Sequence, residues 1–121
     1  MKAVFDTNIL IDYLNGLRKA KIELENYTTC VISVISWMEV LVGCKNEQEE
    51  IVVKSFLHRF EVSDITQTIR EKAVKIRREM RLRLPDAVIL ATARILEVPL
   101  VTRNTKDFSH NLIDVKIPYR V

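Results

Sequence analysis

Glycine and histidine are scarce in this chain, and their scarcity excludes several kinds of catalytic site. Gly16 and Gly43 are the only glycines among the 121 residues. They cannot form a GxGxxG or GxxxxGK[ST] loop, so a glycine-rich phosphate cradle is excluded. The two histidines, His58 and His110, accompany no GxSxG serine motif. Catalytic chemistry in this chain would therefore depend on carboxylates.

Cysteines and long apolar segments are also few. Cys30 and Cys44 have no CxxC pattern or histidine partner, which favours buried free thiols over a disulfide or a metal site. The longest segments without charge, such as residues 27–38, fall short of the roughly 20 residues of a membrane-spanning helix. No charged-then-apolar signal segment opens the chain, since Asp6 closely follows Lys2. We expect a soluble, cytoplasmic protein without a membrane span.

The apolar fraction of 48 % is high enough for an ordered core, and the length suits one domain over residues 1–121. Short apolar runs typical of buried strands alternate with helical patterns. The predicted strands cover residues 1–5, 30–34, 60–62, 100–102 and 114–117. This alternation predicts a three-layer α/β/α fold with a parallel five-stranded sheet, and we expect the strand order 3-2-1-4-5.

Helix boundaries are predicted from capping residues and apolar periodicity. Asn8 is predicted to cap a helix over residues 9–15, and Ser36 with Glu39 has the spacing of a capping box for a helix ending at Gly43. Asn46 is expected to start another helix. Further helices are predicted over residues 18–25 and 66–84, the longer of them with one apolar stripe at Ile69, Ala73, Ile76, Met80 and Leu84. Pro85 is typical of a helix start, and the helix that it opens is expected to continue as an apolar helix over residues 87–96.

Four acidic side chains lie where α/β proteins build their sites. Asp6 ends the first strand, Glu39 and Asp86 are expected in the first turns of helices, and Asp107 follows the fourth strand after Asn104. With the expected strand order, the sheet has its switch point between strands one and four, and ligands bind outside the carboxyl ends there. Clustered carboxylates repel one another unless a cation or proton lies among them, and Mg²⁺ prefers oxygen ligands.

Each acidic residue also has a structural interpretation. Glu39 can be the second half of its capping box, Asp86 suits the dipole of its helix, and Asp107 can be an exposed turn residue. Asp6 is harder to explain structurally, because a carboxylate at the end of an apolar strand costs free energy unless it is paired or bound.

Four segments together resemble the PIN-domain family, and most closely its VapC-type toxin branch. They occur in the family's order and span nearly the whole chain: Val4–Asn8, Ser36–Gly43, Leu84–Ala91 and Leu100–Phe108. The resemblance implies a Mg²⁺-dependent endoribonuclease, with Mn²⁺ as a substitute, that acts as the toxin of a toxin–antitoxin pair. It also implies homodimers and inhibition by a small cognate antitoxin.

The resemblance assigns roles to individual side chains. Asp6, Glu39 and Asp86 are implied as the metal-binding acidic core, and Thr7, Asn8 and Thr102 as supporting hydrogen-bonding residues. Many relatives have aspartate where this chain has Asn104, so Asn104 and Asp107 are both candidates to complete the catalytic site. An amide oxygen is a weaker ligand than a carboxylate, and a second metal ion is an open alternative.

A strongly basic segment precedes Asp86. Between residues 70 and 83 it holds seven basic residues, Arg70, Lys72, Lys75, Arg77, Arg78, Arg81 and Arg83. One interpretation is a solvated helix face with ion pairs such as Glu71 to Lys75. The other is contact with RNA phosphates or with the antitoxin, for which Arg77, Arg78 and Arg81 are the candidates.

Three rival hypotheses remain open. A PIN nuclease of RNA maturation, or one that cuts DNA, has the same acidic residues. A catalytically silent PIN-fold interaction module is favoured by Asn104. Phosphoacceptor signalling domains also bind Mg²⁺ at strand-end aspartates, but here no acidic pair accompanies Asp6 and no strand-end lysine follows the later strands.

Overall fold

The computed structural model describes residues 1–108 and 112–121, and a parallel five-stranded sheet forms its centre. The strands are β1 (Lys2–Phe5), β2 (Thr29–Ser33), β3 (Glu61–Ser63), β4 (Leu100–Val101) and β5 (Val115–Lys116). They lie in the order β3-β2-β1-β4-β5, and every neighbouring pair is parallel. The predicted fold class and strand order are confirmed.

Helices cover both faces of the sheet. Within the described residues they are α1 (Thr7–Leu14), α2 (Arg18–Glu25), α3 (Val34–Val42), α4 (Glu47–Leu57), α5 (Gln67–Met80) and α6 (Leu84–Leu96). Side chains of α5 and α6 share one apolar core, and those of α1 to α4 share the other. The result is the predicted three-layer arrangement. None of these helices combines the length and apolarity that crossing a bilayer requires.

The strands contribute side chains to both apolar cores, because successive side chains of a strand point to opposite faces of the sheet. Val4 of β1 packs in the α5–α6 core, whereas Ala3 and Phe5 pack in the core on the other face. Helix α6 is buried without interruption from Asp86 to Ala93, as its continuous apolar sequence requires. Asp86 therefore lies in the first turn of a helix that packs against the sheet.

Two predicted helix starts were wrong, and both errors have the same cause. Helix α1 is capped by Asp6, whose side chain accepts a hydrogen bond from the amide of Thr7, and Asn8 lies inside the helix. Helix α3 is capped by Ser33 and begins at Val34, so Glu39 lies past its first turn. In each case a polar residue at the carboxyl end of the strand is the cap, because the chain turns into the helix as soon as the strand ends.

The long helix α5 ends earlier than its apolar stripe predicts. It starts where predicted, with Thr66 as its cap, but the helix stops at Met80 because Arg81 adopts a left-handed conformation with φ of 57°. Leu84 then begins α6 and is exposed, while Leu82 is buried in its place. This break gives α6 its own N-terminus, and Asp86 lies in its first turn as predicted.

The thiols of Cys30 and Cys44 are free, as predicted, and both residues are half-buried.

Candidate active site and metal centre

The candidate site lies where the carboxyl ends of β1 and β4 meet. The backbone amide of Asp6 donates to the carbonyl of Val101 at 2.9 Å, which continues the pairing of the two strands. Directly beyond it, the hydroxyl of Thr102 donates to Asp6 Oδ2 at 2.8 Å. This junction is the switch point of the sheet, the place where open parallel sheets bind their ligands.

Asp6 is buried, with an exposed fraction of only 4 %, and its carboxylate is held from several sides. Its Oδ1 accepts from the amide of Thr7 at 2.8 Å, and its Oδ2 accepts from Asn8 Nδ2 at 3.2 Å as well as from Thr102. Asn8 Nδ2 also lies 3.1 Å from Thr102 Oγ1. Thr7, Asn8 and Thr102 thus orient Asp6, although the expected cap function of Asn8 belongs to Asp6 itself.

Glu39 reaches the site from α3 through Thr7. The Thr7 hydroxyl donates to Glu39 Oε1 at 2.7 Å and lies 2.9 Å from the hydroxyl of Ser36. Ser36, which was predicted as a cap, is instead buried in α3 against this threonine. Glu39 is exposed, so its carboxylate is accessible from solvent while Thr7 links it to the Asp6 side of the site.

Asp86 is the second buried carboxylate, with an exposed fraction of 6 %. It projects from the first turn of α6, and Arg83 Nε lies 3.4 Å from its Oδ2. The Arg83 side chain is 79 % exposed, so solvent screens this ion pair. Asp86 is therefore only partly neutralised by its protein neighbour.

Asn104 and Asp107 form a closed pair in the turn after β4. Asn104 Nδ2 donates to Asp107 Oδ2 at 2.8 Å, and Asn104 Oδ1 accepts from the amide of Asp107 at 3.1 Å. The amide of Asn104 also donates to Thr102 Oγ1. Asp107 is half-buried, not exposed as expected. Both side-chain ends of Asn104 are thus used within the turn.

The pKa values of Asp6 and Asp86 are raised by burial and by neighbouring carboxylates. Burial raises the pKa of Asp6 to about 6, and the charges of Asp86 and Glu39 add to this effect against the hydrogen bonds from Thr102 and Thr7. Burial likewise raises the pKa of Asp86, with Asp107 and Glu39 adding to the rise and Arg83 opposing it. Such mutual repulsion is relieved when a cation binds among the carboxylates.

The donor set fits a hard divalent cation. Its candidate ligands are all oxygen atoms, which Mg²⁺ prefers, and two of them are buried carboxylates with raised pKa. Among the residues that the structure describes, no three acidic, histidine or cysteine side chains converge into a preformed ion cage. Mg²⁺ does not require one, since it usually keeps several waters and binds through one or two carboxylates together with substrate phosphate.

One buried ionic group beside the site was not predicted from the sequence. Arg103 donates through Nε and Nη2 to the carboxylate of Asp12, and the hydroxyl of Tyr119 donates to Asp12 Oδ2 at 2.9 Å. The amide of Arg103 also donates to Asn8 Oδ1. The only sequence signal was Asp12 itself, a charge on the apolar helix α1 whose partners are 91 and 107 residues away.

Comparison with known proteins agrees with this fold. The PIN domain family model matches residues 3–111. Ribonuclease VapC1 of Methanocaldococcus jannaschii is 34 % identical over 112 residues, which cover 88 % of this chain and 79 % of that protein. A chain in a toxin-antitoxin complex from Klebsiella pneumoniae is 47 % identical with a TM-score of 0.92, and the match covers 98 % of this chain and 99 % of that chain. VapBC2 from Rickettsia felis, solved bound to a promoter DNA fragment, contains a chain 26 % identical with a TM-score of 0.78, covering 89 % of this chain and 91 % of that one. As its four sequence segments predicted, the chain belongs to the PIN-domain family.

Proposed function

We propose that this chain is a Mg²⁺-dependent endoribonuclease and the toxin of a VapBC-type toxin–antitoxin pair, acting as a single domain in the cytoplasm. The observation that carries the proposal is the buried Asp6 at the switch point, its pKa raised by burial and further by the charges of Asp86 and Glu39. Such a group is stabilised by a cation, and an RNA phosphate can complete the cation's shell. The ribonuclease named among the relatives supports this choice of substrate.

Each residue of the site has a distinct role in the proposed reaction. Asp6 and Asp86 hold Mg²⁺ or Mn²⁺, and Thr102 fixes the orientation of the Asp6 carboxylate. Glu39, exposed and bound to Thr7, is a further ligand or orients the attacking water. Asn104 and Asp107 complete the site directly or through waters. A metal ion held by Asp6 and Asp86 would supply Lewis-acid chemistry for activating a water and for stabilising the leaving oxygen.

The basic surface of α5 and the turn after it supports a polyanionic partner. Of the seven basic residues between 70 and 83, only Arg83 has a carboxylate within 4 Å among the described residues. The pair Glu71–Lys75 considered above is not among the ion pairs formed there; Glu71 instead accepts from Gln67. Arg77, Arg78 and Arg81 are exposed. We assign these cations to contacts with RNA or with the antitoxin, because unpaired cations bind phosphates or acidic groups at low desolvation cost.

The proposed protein partner is a small antitoxin. A chain of the Klebsiella pneumoniae toxin-antitoxin complex is similar to this chain over nearly its full length, which supports the same kind of assembly. We also propose a homodimer, as the family resemblance implies.

The first prediction tests the function directly. Partner-free protein is expected to cleave single-stranded RNA with Mg²⁺ or Mn²⁺, and EDTA should abolish the cleavage because Asp6 and Asp86 then have no cation to hold. Asp86→Asn should lower kcat/KM by about 100-fold or more, since several kcal/mol of transition-state stabilisation depend on the metal. Gel assays on a defined oligoribonucleotide measure both effects. RNA left intact with either metal would favour the catalytically silent module.

The second prediction concerns the closed pair of Asn104 and Asp107. Asn104→Asp adds a carboxylate to a cation site and is expected to tighten Mn²⁺ binding about tenfold, as one further charged ligand contributes on the order of 1 kcal/mol or more. Calorimetry on the partner-free protein gives affinity and stoichiometry. We expect one tight ion in the wild-type protein, and two tight ions without RNA would contradict this.

Asp107→Asn separates the two possible roles of Asp107. If Asp107 contributes to the metal shell, directly or through a water, the variant loses activity and binds Mn²⁺ more weakly. Unchanged cleavage and Mn²⁺ affinity would remove Asp107 from the site and leave it as the partner of Asn104 in the turn.

A further inference from the structure

A cavity lined by basic side chains lies beside the candidate metal site of Asp6, Glu39 and Asp86, which we call the acidic site. Its volume is about 540 Å³, which lies within the usual range of ligand-binding clefts. No aspartate or glutamate is among its described lining residues. We call it the basic pocket, and its lining includes Asn8, Arg103, Asn104, Thr105, Lys106 and Arg120.

Asn8 connects the basic pocket to the acidic site. Its Nδ2 donates to Asp6 Oδ2 at 3.2 Å, and its Oδ1 accepts from the amide of Arg103 at 3.3 Å. One side chain therefore separates the candidate metal ligand from the pocket wall. The acidic site and the basic pocket are therefore adjacent.

The walls of the basic pocket are fixed by buried contacts. Two nitrogens of Arg103 donate to Asp12, whose side chain is only 10 % exposed. Tyr119 is buried and donates to the same carboxylate, which anchors the chain directly before Arg120. The backbone that carries these cations is thus held in place before any ligand binds, which lowers the ordering cost of binding.

The available charge of the pocket comes from Lys106 and Arg120. The charge of Arg103 is balanced by Asp12, whereas Lys106 and Arg120 are exposed and have no salt bridge within residues 1–108 and 112–121. Among the lining residues that the structure describes, none is aromatic. Bases that are read without pairing usually stack on aromatic rings, so this pocket suits phosphate and sugar and does not suit a base.

We propose that the basic pocket binds the backbone phosphate next to the scissile phosphate of single-stranded RNA. This inference rests on the proposed ribonuclease function and specifies where the substrate lies on the protein. The pocket contributes affinity and positioning that are independent of base sequence. Any sequence preference of the enzyme then arises elsewhere on the surface.

The test compares a double variant, Lys106→Gln with Arg120→Gln, with the wild-type protein. RNA affinity is measured by fluorescence anisotropy in EDTA, with a labelled 12-nucleotide single strand and several salt concentrations. The double variant should bind about five- to tenfold more weakly at low salt, as expected for two partly screened contacts. The slope of log affinity against log salt should fall by about 0.7, the value for one phosphate of a single strand, because the pocket holds one phosphate.

Lys19→Gln, measured in parallel, is the matched control. It removes the same charge from an exposed lysine on α2 that lines neither the basic pocket nor the acidic site. Its affinity and salt slope should stay at the wild-type values. If Lys19→Gln lost half as much RNA affinity as the double variant, net charge would explain the effect, and the assignment of the basic pocket as a phosphate site would be overturned.

A neutral linkage in the RNA locates the contact. Methylphosphonate replaces one phosphate at a time along the oligonucleotide. Replacement at the linkage next to the scissile linkage should weaken binding to the wild-type protein. The same replacement should have no further effect on the double variant, because both changes remove one interaction. Additive losses at every position would contradict the proposed contact.

The outcomes distinguish the pocket from the proposed function. Wild-type protein that cleaves RNA, with a double variant of unchanged affinity and salt slope, would overturn the pocket and leave the ribonuclease function standing. Wild-type protein that neither cleaves nor binds RNA would overturn both. If poly-glutamate displaced RNA from the wild-type protein but not from the double variant, the pocket would be a site for acidic peptides and the RNA assignment would be wrong.

Discussion

Asp6→Asn is expected to abolish RNA cleavage and at the same time to stabilise the metal-free protein. Cleavage should fall by about 100-fold or more, because the variant loses a charged metal ligand. The free energy of unfolding should rise by about 1–3 kcal/mol at pH 7.5, since the wild-type protein must bury a charge there that the variant lacks. The upper value corresponds to the rise of the Asp6 pKa from 3.8 to about 6. The lower value allows for the asparagine amide facing another donor, Asn8 Nδ2.

The pH dependence of this difference has a definite sign. The pKa of Asp6 is higher in the folded than in the unfolded chain, so the folded protein binds its proton more tightly. The free energy of unfolding of the metal-free wild-type protein should therefore fall as the pH rises from about 4 through about 6. Asp6→Asn should lack the part of this decrease that comes from the ionisation of Asp6. Urea unfolding in EDTA at several pH values measures it. Near pH 3.5, Asp6 is largely protonated in both the folded and the unfolded wild-type chain. The difference in unfolding free energy between the wild-type protein and Asp6→Asn should therefore vanish there.

Two controls separate this effect from general surface charge. Asp64→Asn makes the same change at an exposed aspartate directly after β3, and it should alter neither stability nor cleavage. Mn²⁺ at about 100 times its dissociation constant should stabilise the wild-type protein by about 2.7 kcal/mol and leave Asp6→Asn nearly unaffected. A loss of stability in Asp6→Asn at pH 7.5 would mean that Asp6 serves mainly as the cap of α1.

The fold could be predicted from the sequence because each layer has its own local signal. The buried strands β2 and β4 are short uncharged runs, β1 is apolar after Lys2, and α5 has an apolar face of period 3.6. Strands that alternate with helices leave few arrangements other than a parallel sheet. The helix starts failed at α1 and α3 because Asp6 and Ser33 are strand ends and caps at once, and local spacing favoured the next polar residue, Asn8 or Ser36.

The carboxylates of the site could be predicted because each lies at a strand end, a helix or a turn that the sequence marks. Their supporting contacts could not, since hydrogen bonds such as Thr7 to Glu39 or Thr102 to Asp6 join segments 32 and 96 residues apart. The same holds for Asp12, whose partners depend on the sheet order and on the path of the C-terminal segment. Sequence patterns indicate which residues are polar in apolar surroundings, and the fold decides what they contact.

Asp12→Ala is expected to be the most destabilising substitution near the site. Asp12 is buried on α1 and accepts hydrogen bonds from Arg103 and Tyr119. Its removal leaves the buried Tyr119 hydroxyl without this acceptor and Arg103 without its charge partner. The free energy of unfolding should fall by about 3 kcal/mol, in the range for a buried group that loses a charged partner. Urea unfolding at pH 7.5, compared with the wild-type protein, measures the loss.

Asp114→Ala is the matched control for Asp12→Ala. Asp114 accepts from Arg94 Nε at 2.6 Å, but both side chains are 27 % exposed, so the pair contributes less than about 1 kcal/mol. Tyr119→Phe removes only the hydroxyl and should cost about 1 kcal/mol. Because Tyr119→Phe breaks a bond that Asp12→Ala also breaks, the double variant should lose less than the sum of the two single losses. If Asp12→Ala cost no more than Asp114→Ala, Arg103 would not depend on Asp12 for its position, and the basic pocket would lose the fixed wall on which its affinity rests.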